Sequence, residues 1–410
     1  MRVLLAPHGT RGDVQPMLAL AIGLRARGHD VSFVAPANSV DWITSFGFPC
    51  FSDGIDVEQL MQGAGTHLQS LRWQMKYLTD TLIPKLFETV LAAAEAANPA
   101  IIVGSGVQMA GTSIAELRRI PSASTMFAPC AVPSGDSPPP VVRVQTLPRW
   151  MNRALWKWGE PFADLALAAP MNAARSRIGL PPHPKPSRLI AGKRTIVAAD
   201  RELGPFPKDA PTTVVATDAW ILDHESGVMD SRLDDFLRSG PPPIYVGLGS
   251  MVPTPGLAVA ACAEDAARSA GCRLVIAGGW ARIDQGLEHS DSVMIVREAS
   301  HHTLFPRVKA VIHHGGAGTT TAAARAGVPQ LILPHILDQY YWAHRVERLG
   351  MGPRALPIEA VTTKRLTSSC RELIEFTKYG GNARALAARM LRRNGVTDAV
   401  SLIEQLVNEC

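Results

Sequence analysis

The chain has 410 residues, which is too long for one ordinary hydrophobic core and suggests two to three domains. Hydrophobic residues make up 46% of the sequence and charged residues 19%, a composition that is typical of a globular α/β protein and excludes neither an enzyme nor a binding protein. The net charge of +5 is small and is not gathered into a run, so we expect no nucleic-acid partner.

The cysteine spacing and the N-terminus indicate the compartment. None of the six cysteines forms a CxxC pair or a metal-ligand spacing, so we predict reduced thiols, no metal site and a cytoplasmic protein. The chain begins with a strand pattern instead of an export signal. The long uncharged run at residues 239–263 is interrupted by prolines and glycines, so we predict no membrane span.

The first elements in chain order form a βαβ unit. Residues 3–7 are predicted as a buried strand, a helix follows that Gly28 ends, and residues 31–36 are the next strand. Gly9 and Gly12 supply only two of the three glycines of the dinucleotide-binding turn, and the second strand ends without an acidic residue. A nicotinamide oxidoreductase is therefore not favoured.

Asp13 lies at the start of the first predicted helix, beyond the carboxyl end of the first strand, where open α/β sheets bind ligands. A carboxylate at this position either faces the cleft as a catalytic group or only caps the helix by accepting backbone N–H groups. The residue pattern leaves both interpretations open. The helix dipole is expected to keep Asp13 ionised and weakly basic.

The rest of the first half alternates strands with helices. Further parallel strands are predicted at residues 101–104, 122–127, 195–199 and 213–216. Residues 131–148 are rich in proline and are predicted as a mobile loop outside the sheet.

A basic and aromatic amphipathic helix is predicted next, at residues 147–162. Its apolar residues, among them Trp158 and Phe162, fall at helical spacing, while Arg149 and Arg153 lie on another face. Such a helix can contact an anionic membrane surface, or it can pack its apolar face on the core and leave its basic face in solvent. We favour core packing.

The second half repeats the alternating pattern after a polar, proline-rich linker. Five apolar strands are predicted at residues 244–249, 273–277, 293–296, 309–312 and 330–333. These strands, separated by helical patterns, predict a second doubly wound sheet.

The stretch that follows the fourth of these strands, residues 313–321, predicts an anion site. Its glycines let the backbone approach a ligand, and its threonines fall in the first turn of a helix. Free N–H groups and the helix dipole at that turn favour the binding of a pyrophosphate. His314 adds a titratable donor. The alternative is a strand-to-helix turn that needs glycine only for its φ angles. The acceptor pair Asp338 and Gln339 follows the next strand and suits a polyhydroxylated ligand, so the two loops together predict a nucleotide-sugar site.

These motifs, His313 to Thr320, Arg325 to Pro329 and the Asp338–Gln339 pair, resemble the donor signature of inverting GT-B glycosyltransferases. The resemblance is strongest to glycopeptide-antibiotic and bacterial sterol or lipid glycosyltransferases and extends to about residue 352. It implies an α/β protein of the GT-B fold, with two Rossmann-like doubly wound domains facing across a cleft. The expected segments are an acceptor-binding domain at 1–208, a linker at 209–239, a nucleotide-sugar-binding domain at 240–391 and a returning C-terminal helix at 392–410.

The same resemblance implies roles for individual residues. Asp13 takes the place of a histidine base in many relatives and is expected to deprotonate the acceptor. Ser250 is expected near the phosphates, and His301 is expected in the loop whose main chain contacts the nucleobase. Trp280 either packs against the nucleobase or belongs to the core. The full predicted donor-binding set is Gly12, Ser250, Trp280, His301, His314, Gly315, Gly316, Gly318, Thr319, Thr320, Asp338 and Gln339.

The predicted function is inverting, metal-independent transfer of a hexose or deoxyhexose from a UDP- or TDP-sugar to a hydroxyl of an apolar acceptor, with no cofactor beyond this co-substrate. The acceptor is expected to be a natural-product aglycone, a sterol or a lipid. The alternative is a non-catalytic nucleotide-sugar-binding protein on the same fold, and the presence of Asp13 argues against it.

Overall fold

Two parallel β-sheets organise the chain in the computed structural model, which describes residues 1–64, 70–192, 194–222, 230–251, 259–280, 282–284, 286–390, 393 and 395–409. Within these ranges the first sheet consists of β1 Arg2–His8, β2 Asp30–Ala35, β3 Cys50–Ser52, β4 Ile101–Gly106, β5 Ser122–Met126, β6 Thr195–Ala198 and β7 Val214–Thr217. The second consists of β8 Ile244–Gly247, β9 Leu274–Ala277, β10 Val293–Val296, β11 Ala310–His313 and β12 Gln330–Ile332.

Both sheets have the doubly wound order. The first runs β3-β2-β1-β4-β5-β6-β7 and the second β10-β9-β8-β11-β12, with parallel pairing throughout. The strand order therefore reverses beside β1 in one sheet and beside β8 in the other. Such reversal points open a crevice at the carboxyl ends of the strands, where ligands bind in this architecture.

Helices cover both sheets. The described α-helices are α1 Arg11–Ala26, α2 Val40–Ser45, α3 Val57–Ala64, α4 Leu71–Tyr77, α5 Ile83–Ala97, α6 Gly111–Arg118, α7 Arg149–Arg177, α8 Arg188–Ala191, α9 Ser231–Arg238, α10 Val259–Ser269, α11 His301–Leu304, α12 Ala317–Arg325, α13 Gln339–Arg348, α14 Thr363–Glu375, α15 Thr377–Met390 and α16 Gly395–Asn408. None of the helices in the described ranges is long and apolar enough to cross a membrane.

The predicted strands and fold class are confirmed, with strand ends that differ by one or two residues. The short edge strand β3 was missed, because its three residues carry no alternating pattern and two of them are exposed. The seventh strand, β7, lies inside the range predicted as linker, so the first sheet extends beyond residue 208. Residues 223–229 of that range lie outside the described part of the chain.

The last helix, α16, packs on the first domain. Val400 and Ile403 belong to the core between α1 and the first sheet, and Val396 fills the space above Gly23, where a Cβ would lie 2.4 Å from its Cγ1. Arg27, the residue that follows α1, binds Glu404 at 2.7 Å. The C-terminal segment thus ties the end of the chain to the first helix.

A further apolar cluster joins the two domains. Trp342 of α13 is fully buried in it together with residues of the first domain such as Leu203. A Cβ on Gly204 would lie 2.9 Å from the Trp342 ring, so only glycine lets the two domains approach this closely. Arg345 also crosses the boundary and donates to the Leu203 carbonyl at 2.8 Å.

The prediction that the apolar face of α7 packs on the core is wrong. Trp158 and Phe162 are 70% and 73% exposed, so the apolar face of its first half points to solvent. On another face of the helix, Arg153 binds Asp209 at 2.7 Å and Arg149 pairs with Asp136, and both arginine side chains are about half exposed. Two ion pairs therefore tie this half of the helix to neighbouring loops, while its largest apolar side chains are exposed.

Candidate active site

The carboxyl ends of the two sheets face each other, and direct contacts cross the cleft. Arg11, at the start of α1, binds Glu298 of the second domain at 2.8 Å. The Gln62 side chain donates to the Trp280 carbonyl at 3.1 Å. The loop that follows β1 and the helix α3, which follows β3, therefore lie opposite the loops that follow β9 and β10.

Asp13 occupies the third position of α1 and caps the helix. Its Oδ2 accepts the Thr10 N–H at 2.9 Å, while the Thr10 hydroxyl oxygen accepts the Gly12 N–H at 3.3 Å. The capping interpretation is therefore correct for one carboxylate oxygen. The other oxygen, Oδ1, makes no hydrogen bond within the described residues and remains available to a ligand.

Two glycines make room for this carboxylate. A Cβ on Gly9, where φ is +142°, would lie 2.1 Å from Asp13 Oδ2. A Cβ on Gly106, where φ is +64°, would lie 2.8 Å from Asp13 Oδ1 and 2.2 Å from the His8 carbonyl oxygen. The ends of β1 and β4 thus hold the carboxylate in a space that no larger residue would leave open.

The expectation that Asp13 is only weakly basic is wrong. Burial raises its pKa to about 6, and the charge of Asp338 across the cleft adds to the rise. The Thr10 N–H and His8 act in the opposite direction. Desolvation outweighs the helix dipole here, which gives Asp13 a proton affinity suited to a base that works near neutral pH.

The turn between β11 and α12 is shaped by His313 and Gly315. His313 is fully buried; its Nδ1 accepts the Gly315 N–H at 3.1 Å, so its Nε2 donates to Gln330 Oε1 at 2.9 Å. Burial lowers the pKa of His313 to about 3, which keeps this neutral tautomer. Gly315 has φ +91°, and a Cβ there would lie 2.6 Å from Ile332 Cγ2. His313 is thus a structural residue.

The N-terminus of α12 presents free donors. Gly316 is its N-cap and supplies no side-chain cap, and the first N–H bonded within the helix is that of Thr320, which donates to the Gly316 carbonyl at 3.0 Å. The preceding N–H groups, including those of Gly318 and Thr319, have no acceptor in the described part of the chain. Together with the helix dipole they form an anion-binding end.

His314 lies beside this helix end. Glycines flank its ring: a Cβ on Gly316 would lie 2.5 Å from His314 Nε2, and one on Gly249 would lie 3.1 Å from Cε1. Burial, followed by the neighbouring histidines, lowers the pKa of His314 well below its usual range, so the expected titratable donor is a neutral imidazole here. Its buried Nδ1 has no partner among the described groups.

The hydroxyl groups of Thr319 and Thr320 differ in their hydrogen bonds. Thr320 is fully buried, and its hydroxyl donates to the Gly316 carbonyl at 2.9 Å. The prediction that this hydroxyl holds pyrophosphate is therefore corrected: Thr320 stabilises the first turn of α12. Thr319 is half-buried, and its hydroxyl has no such bond to a described residue, so it is the hydroxyl that the turn offers to a ligand.

Asp338 and Gln339 are fixed at the start of α13. Asp338 Oδ2 accepts the Trp342 indole N–H at 3.1 Å, and burial raises the pKa of Asp338 to about 6. Gln339 Oε1 accepts the N–H groups of His335 and Ile336 at 2.7 and 3.2 Å. The side-chain oxygen of Gln339 is thus occupied, and this residue offers its amide N–H groups instead of an acceptor.

The remaining predicted donor residues lie on the loops of the second sheet. Ser250 is half-buried after β8. Trp280 packs against the core of the first domain, beside Met61. The His301 ring stacks on Phe305 with centroids 4.3 Å apart. The structure therefore places Trp280 and His301 in packed surroundings, and their predicted contacts with a base remain predictions.

One buried pair near Asp13 was missed by the sequence analysis. His8 Nδ1 lies 2.6 Å from Asp53 Oδ2, although the two residues are 45 positions apart. The only signal in the sequence is a histidine at the end of an otherwise apolar strand. Among the described residues there is no group of three His, Cys, Asp or Glu side chains that could hold a metal ion.

Comparison with known proteins identifies the family. Residues 3–132 match the glycosyltransferase family 28 N-terminal domain, and residues 282–406 match the erythromycin biosynthesis protein CIII-like C-terminal domain. Glycosyltransferase GtfE of Amycolatopsis orientalis is 36% identical over 357 residues, which cover 86% of this chain and 85% of that protein. The chain is a nucleotide-sugar-dependent glycosyltransferase of the natural-product antibiotic type.

Other members of the family agree with this assignment. Vancomycin aglycone glucosyltransferase of the same organism is 36% identical over 356 residues, covering 86% of this chain and 85% of the relative. The crystal structure of glycosyltransferase VinC in complex with dTDP superposes with a TM-score of 0.71 at 22% identity, covering 100% of both chains. The predicted GT-B fold of this glycosyltransferase is thus confirmed.

Proposed function

We propose that this glycosyltransferase moves a hexose or deoxyhexose from a UDP- or TDP-sugar to a hydroxyl of an apolar acceptor, with Asp13 as the base. The observation that carries the proposal is the state of the Asp13 carboxylate. Oδ2 is fixed by the Thr10 N–H, Oδ1 has no hydrogen-bond partner among the described residues, and burial raises the pKa to about 6. A purely structural cap has no need of a raised pKa. The alternative, a non-catalytic nucleotide-sugar-binding protein, would need no such group.

The donor diphosphate is assigned to the N-terminus of α12. Negative charge develops on the leaving group during transfer. It can be stabilised by hydrogen bonds from the His314 ring, the Thr319 hydroxyl and the N–H groups of Gly318 and Thr319. Gly315 and Gly316 let the backbone approach it, and Ser250 completes the phosphate site. The diphosphate is stabilised by protein groups in this scheme, and we propose that transfer is independent of a metal ion.

The sugar and the base are assigned to the neighbouring loops. The Asp338 carboxylate accepts from sugar hydroxyls, and the Gln339 amide donates to them. Trp280 and the loop at His301 are assigned to the nucleobase, and Gly12, at the start of α1, leaves room for the donor on the opposite side of the cleft. The structural neighbour VinC was crystallised with dTDP, which supports a thymidine diphosphate at this site.

The arrangement of the two domains supports inversion. Asp13 belongs to the first domain, and the groups assigned to the diphosphate belong to the second. An acceptor hydroxyl that gives its proton to Asp13 Oδ1 forms its new bond to the anomeric carbon as the bond to the diphosphate breaks on the opposite face. A single displacement of this kind inverts the anomeric configuration.

The acceptor is proposed to be a natural-product aglycone, a sterol or a lipid. One relative of this chain is a vancomycin aglycone glucosyltransferase, which supports the first class. The exposed apolar face of α7, with Trp158 and Phe162, also supports the membrane-surface interpretation of this helix. A peripheral membrane contact, a cytoplasmic location and the lack of a nucleic-acid partner are parts of this proposal.

The experiment is a screen of UDP- and TDP-sugars against aglycones, sterols and lipids, with glycosylated products detected by mass spectrometry. The proposal requires a product with the native enzyme and at least ~100-fold slower formation with Asp13→Asn. Calorimetry of UDP and TDP with the same variant is the control, because donor binding should persist. Donor binding without any product would favour the non-catalytic alternative.

A further inference from the structure

A buried ion pair joins the first domain to the helix that is assigned to the diphosphate. Asp200 follows β6 and is fully buried, and its Oδ2 lies 3.1 Å from the guanidinium of Arg325, the last residue of α12. The Arg325 side chain is only 14% exposed. Because Arg325 stands at the opposite end of α12 from the proposed diphosphate site, the pair does not itself bind the donor.

Asp200 depends on Arg325 for the compensation of its charge. Its two oxygens accept no well-aligned hydrogen bond from the described groups, and Arg325 is the only cation paired with it in the described part of the chain. The other buried carboxylate nearby, Asp218, pairs with Arg201 of the first domain at 3.2 Å and lies 3.8 Å from Arg393. A buried carboxylate without a partner is strongly disfavoured, so the Asp200–Arg325 pair holds β6 and α12 together.

Arg325 also contacts the segment that leads back to the first domain. Its Nη2 donates to the Met390 carbonyl, at the end of α15, at 3.3 Å and to the Arg393 carbonyl at 3.5 Å. The two helices approach closely at Gly327, where a Cβ would lie 3.1 Å from Arg384 of α15. One guanidinium thus links α12, the loop after β6 and the end of α15.

The loop after β6 contacts the second donor helix as well. Arg345 of α13 donates to the Leu203 carbonyl at 2.8 Å, and the Trp342 ring packs over Gly204. The Trp342 indole N–H in turn donates to Asp338 Oδ2 at 3.1 Å. This one loop of the first domain therefore contacts both helices whose N-termini are assigned to the donor.

The pair lies at a distance from the chemistry that the two domains keep fixed. Asp13 and Asp200 lie beyond strands of the same sheet that are three positions apart, or about 14 Å at the usual strand spacing. The helix α12 extends about 13 Å from its diphosphate end to Arg325. A shift of ~1 Å between reacting groups can lower a rate ~100-fold, so the far end of α12 has to be held in place.

We propose that Arg325 and Asp200 are positioning residues for the transfer reaction, because their ion pair fixes the diphosphate-binding helix against the first domain. The inference rests on the proposed donor site at α12. The pair sets the distance between the donor and the domain that carries the acceptor and Asp13. Its removal should impair transfer and spare the affinity for the nucleotide, since the groups assigned to the diphosphate all belong to the second domain.

The test compares kcat and the Kd of TDP in Arg325→Met, in Asp200→Asn and in the double variant. Each single variant should lower kcat at least ~tenfold, while the Kd of TDP, measured by calorimetry, stays near the native value. The double variant leaves no buried charge unpaired, so it serves if a single variant fails to fold. It should lose no more activity than the more damaged single variant, because the two residues act as a unit.

The matched control is Arg389→Gln. Arg389 of α15 also pairs across the domain boundary, with Glu202 of the same loop at 2.9 Å, but the two side chains are 50% and 31% exposed. An exposed pair contributes little, so kcat should be unchanged. A native kcat in the double variant, or an equal fall in Arg389→Gln, would overturn the proposal. A loss of TDP affinity as large as the loss of kcat would also overturn it.

Hydrogen–deuterium exchange needs no turnover and separates this inference from the proposed function. The N–H groups of Leu203 and Gly204 donate to the Asp200 carbonyl at 3.1 and 2.7 Å. TDP should slow their exchange in the native enzyme and in Arg389→Gln, but not in the double variant. That result supports the pair even if Asp13→Asn retains turnover and another group is the base.

The opposite results are equally clear. TDP that slows exchange in α12 but not at Leu203 and Gly204 of the native enzyme would overturn the role of the pair, even if Asp13 is the base. Protection that persists at both residues in the double variant would overturn it too. Exchange within α12 in the same experiment reports separately on the assigned diphosphate site.

Discussion

Replacing Asp13 with asparagine should make the protein more stable and nearly inactive. Burial raises the pKa of Asp13 from its ordinary 3.8 to about 6, so the fold disfavours the ionised form. At 1.36 kcal/mol for each pKa unit, the ionised carboxylate costs up to about 3 kcal/mol of unfolding free energy. Asparagine removes that cost and keeps an oxygen that can accept the Thr10 N–H.

The pH dependence of this gain follows from the sign of the shift. A group whose folded pKa is raised loses its contribution as the pH rises through the folded value, so the gain from Asp13→Asn should be complete above about pH 6. It should shrink between about pH 6 and 3.8 and vanish below the unfolded value. At pH 8 the thermal midpoint should rise by several degrees.

Differential scanning calorimetry at pH 8 and pH 4 measures the gain, and the product assay measures turnover. Glu298→Gln is a matched control, since it also removes one carboxylate that faces the cleft, but an exposed one, which binds Arg11 at 2.8 Å. A variant Asp13→Asn that is destabilised at pH 8 would refute the argument from desolvation. Native turnover in that variant would refute the assignment of the base.

Three other results are expected. The kcat/KM of the native enzyme should fall about tenfold from pH 7 to pH 5, because the ionised fraction of a base with a pKa of about 6 falls by that factor. A flat pH profile would contradict the role of Asp13 as the base. His314→Ala should weaken binding of UDP or TDP about two- to tenfold in calorimetry, because one hydrogen bond from a neutral imidazole is lost. His302→Ala, at an exposed position, should leave the affinity unchanged. Gly106→Ala should lower turnover far more than donor affinity, because the Cβ of the new alanine would meet Asp13 and His8. Equal losses of turnover and donor affinity would indicate general unfolding.

The sequence predicted the fold because buried parallel strands appear as short apolar runs, and all of the predicted strands are present. The donor turn was recognisable because Gly315 adopts a φ of +91° that few other residues tolerate. The burial of individual side chains and the directions in which they point could not be predicted from the sequence. The pKa of Asp13 depends on its burial in the fold and on the charge of Asp338, which is more than three hundred residues away.

Side-chain direction was the second limit. Nothing in the residue types distinguishes the Thr320 hydroxyl, which bonds to its own helix, from that of Thr319. The helix α7 has the spacing of a core helix, yet Trp158 is 70% exposed, and ion pairs with Asp136 and Asp209 tie another face of the helix to neighbouring loops. Contacts between residues distant in sequence decide such cases.

The most direct test of the proposed mechanism is the configuration of the product. A donor of known anomeric configuration is incubated with enzyme and acceptor in excess EDTA, and the proton coupling constant at the new anomeric carbon is read by NMR. Attack by an acceptor that Asp13 deprotonates, on a donor held by α12, predicts a product of inverted configuration at an undiminished rate. A product that retains the donor's configuration, or a reaction that stops with the chelator, would contradict the mechanism.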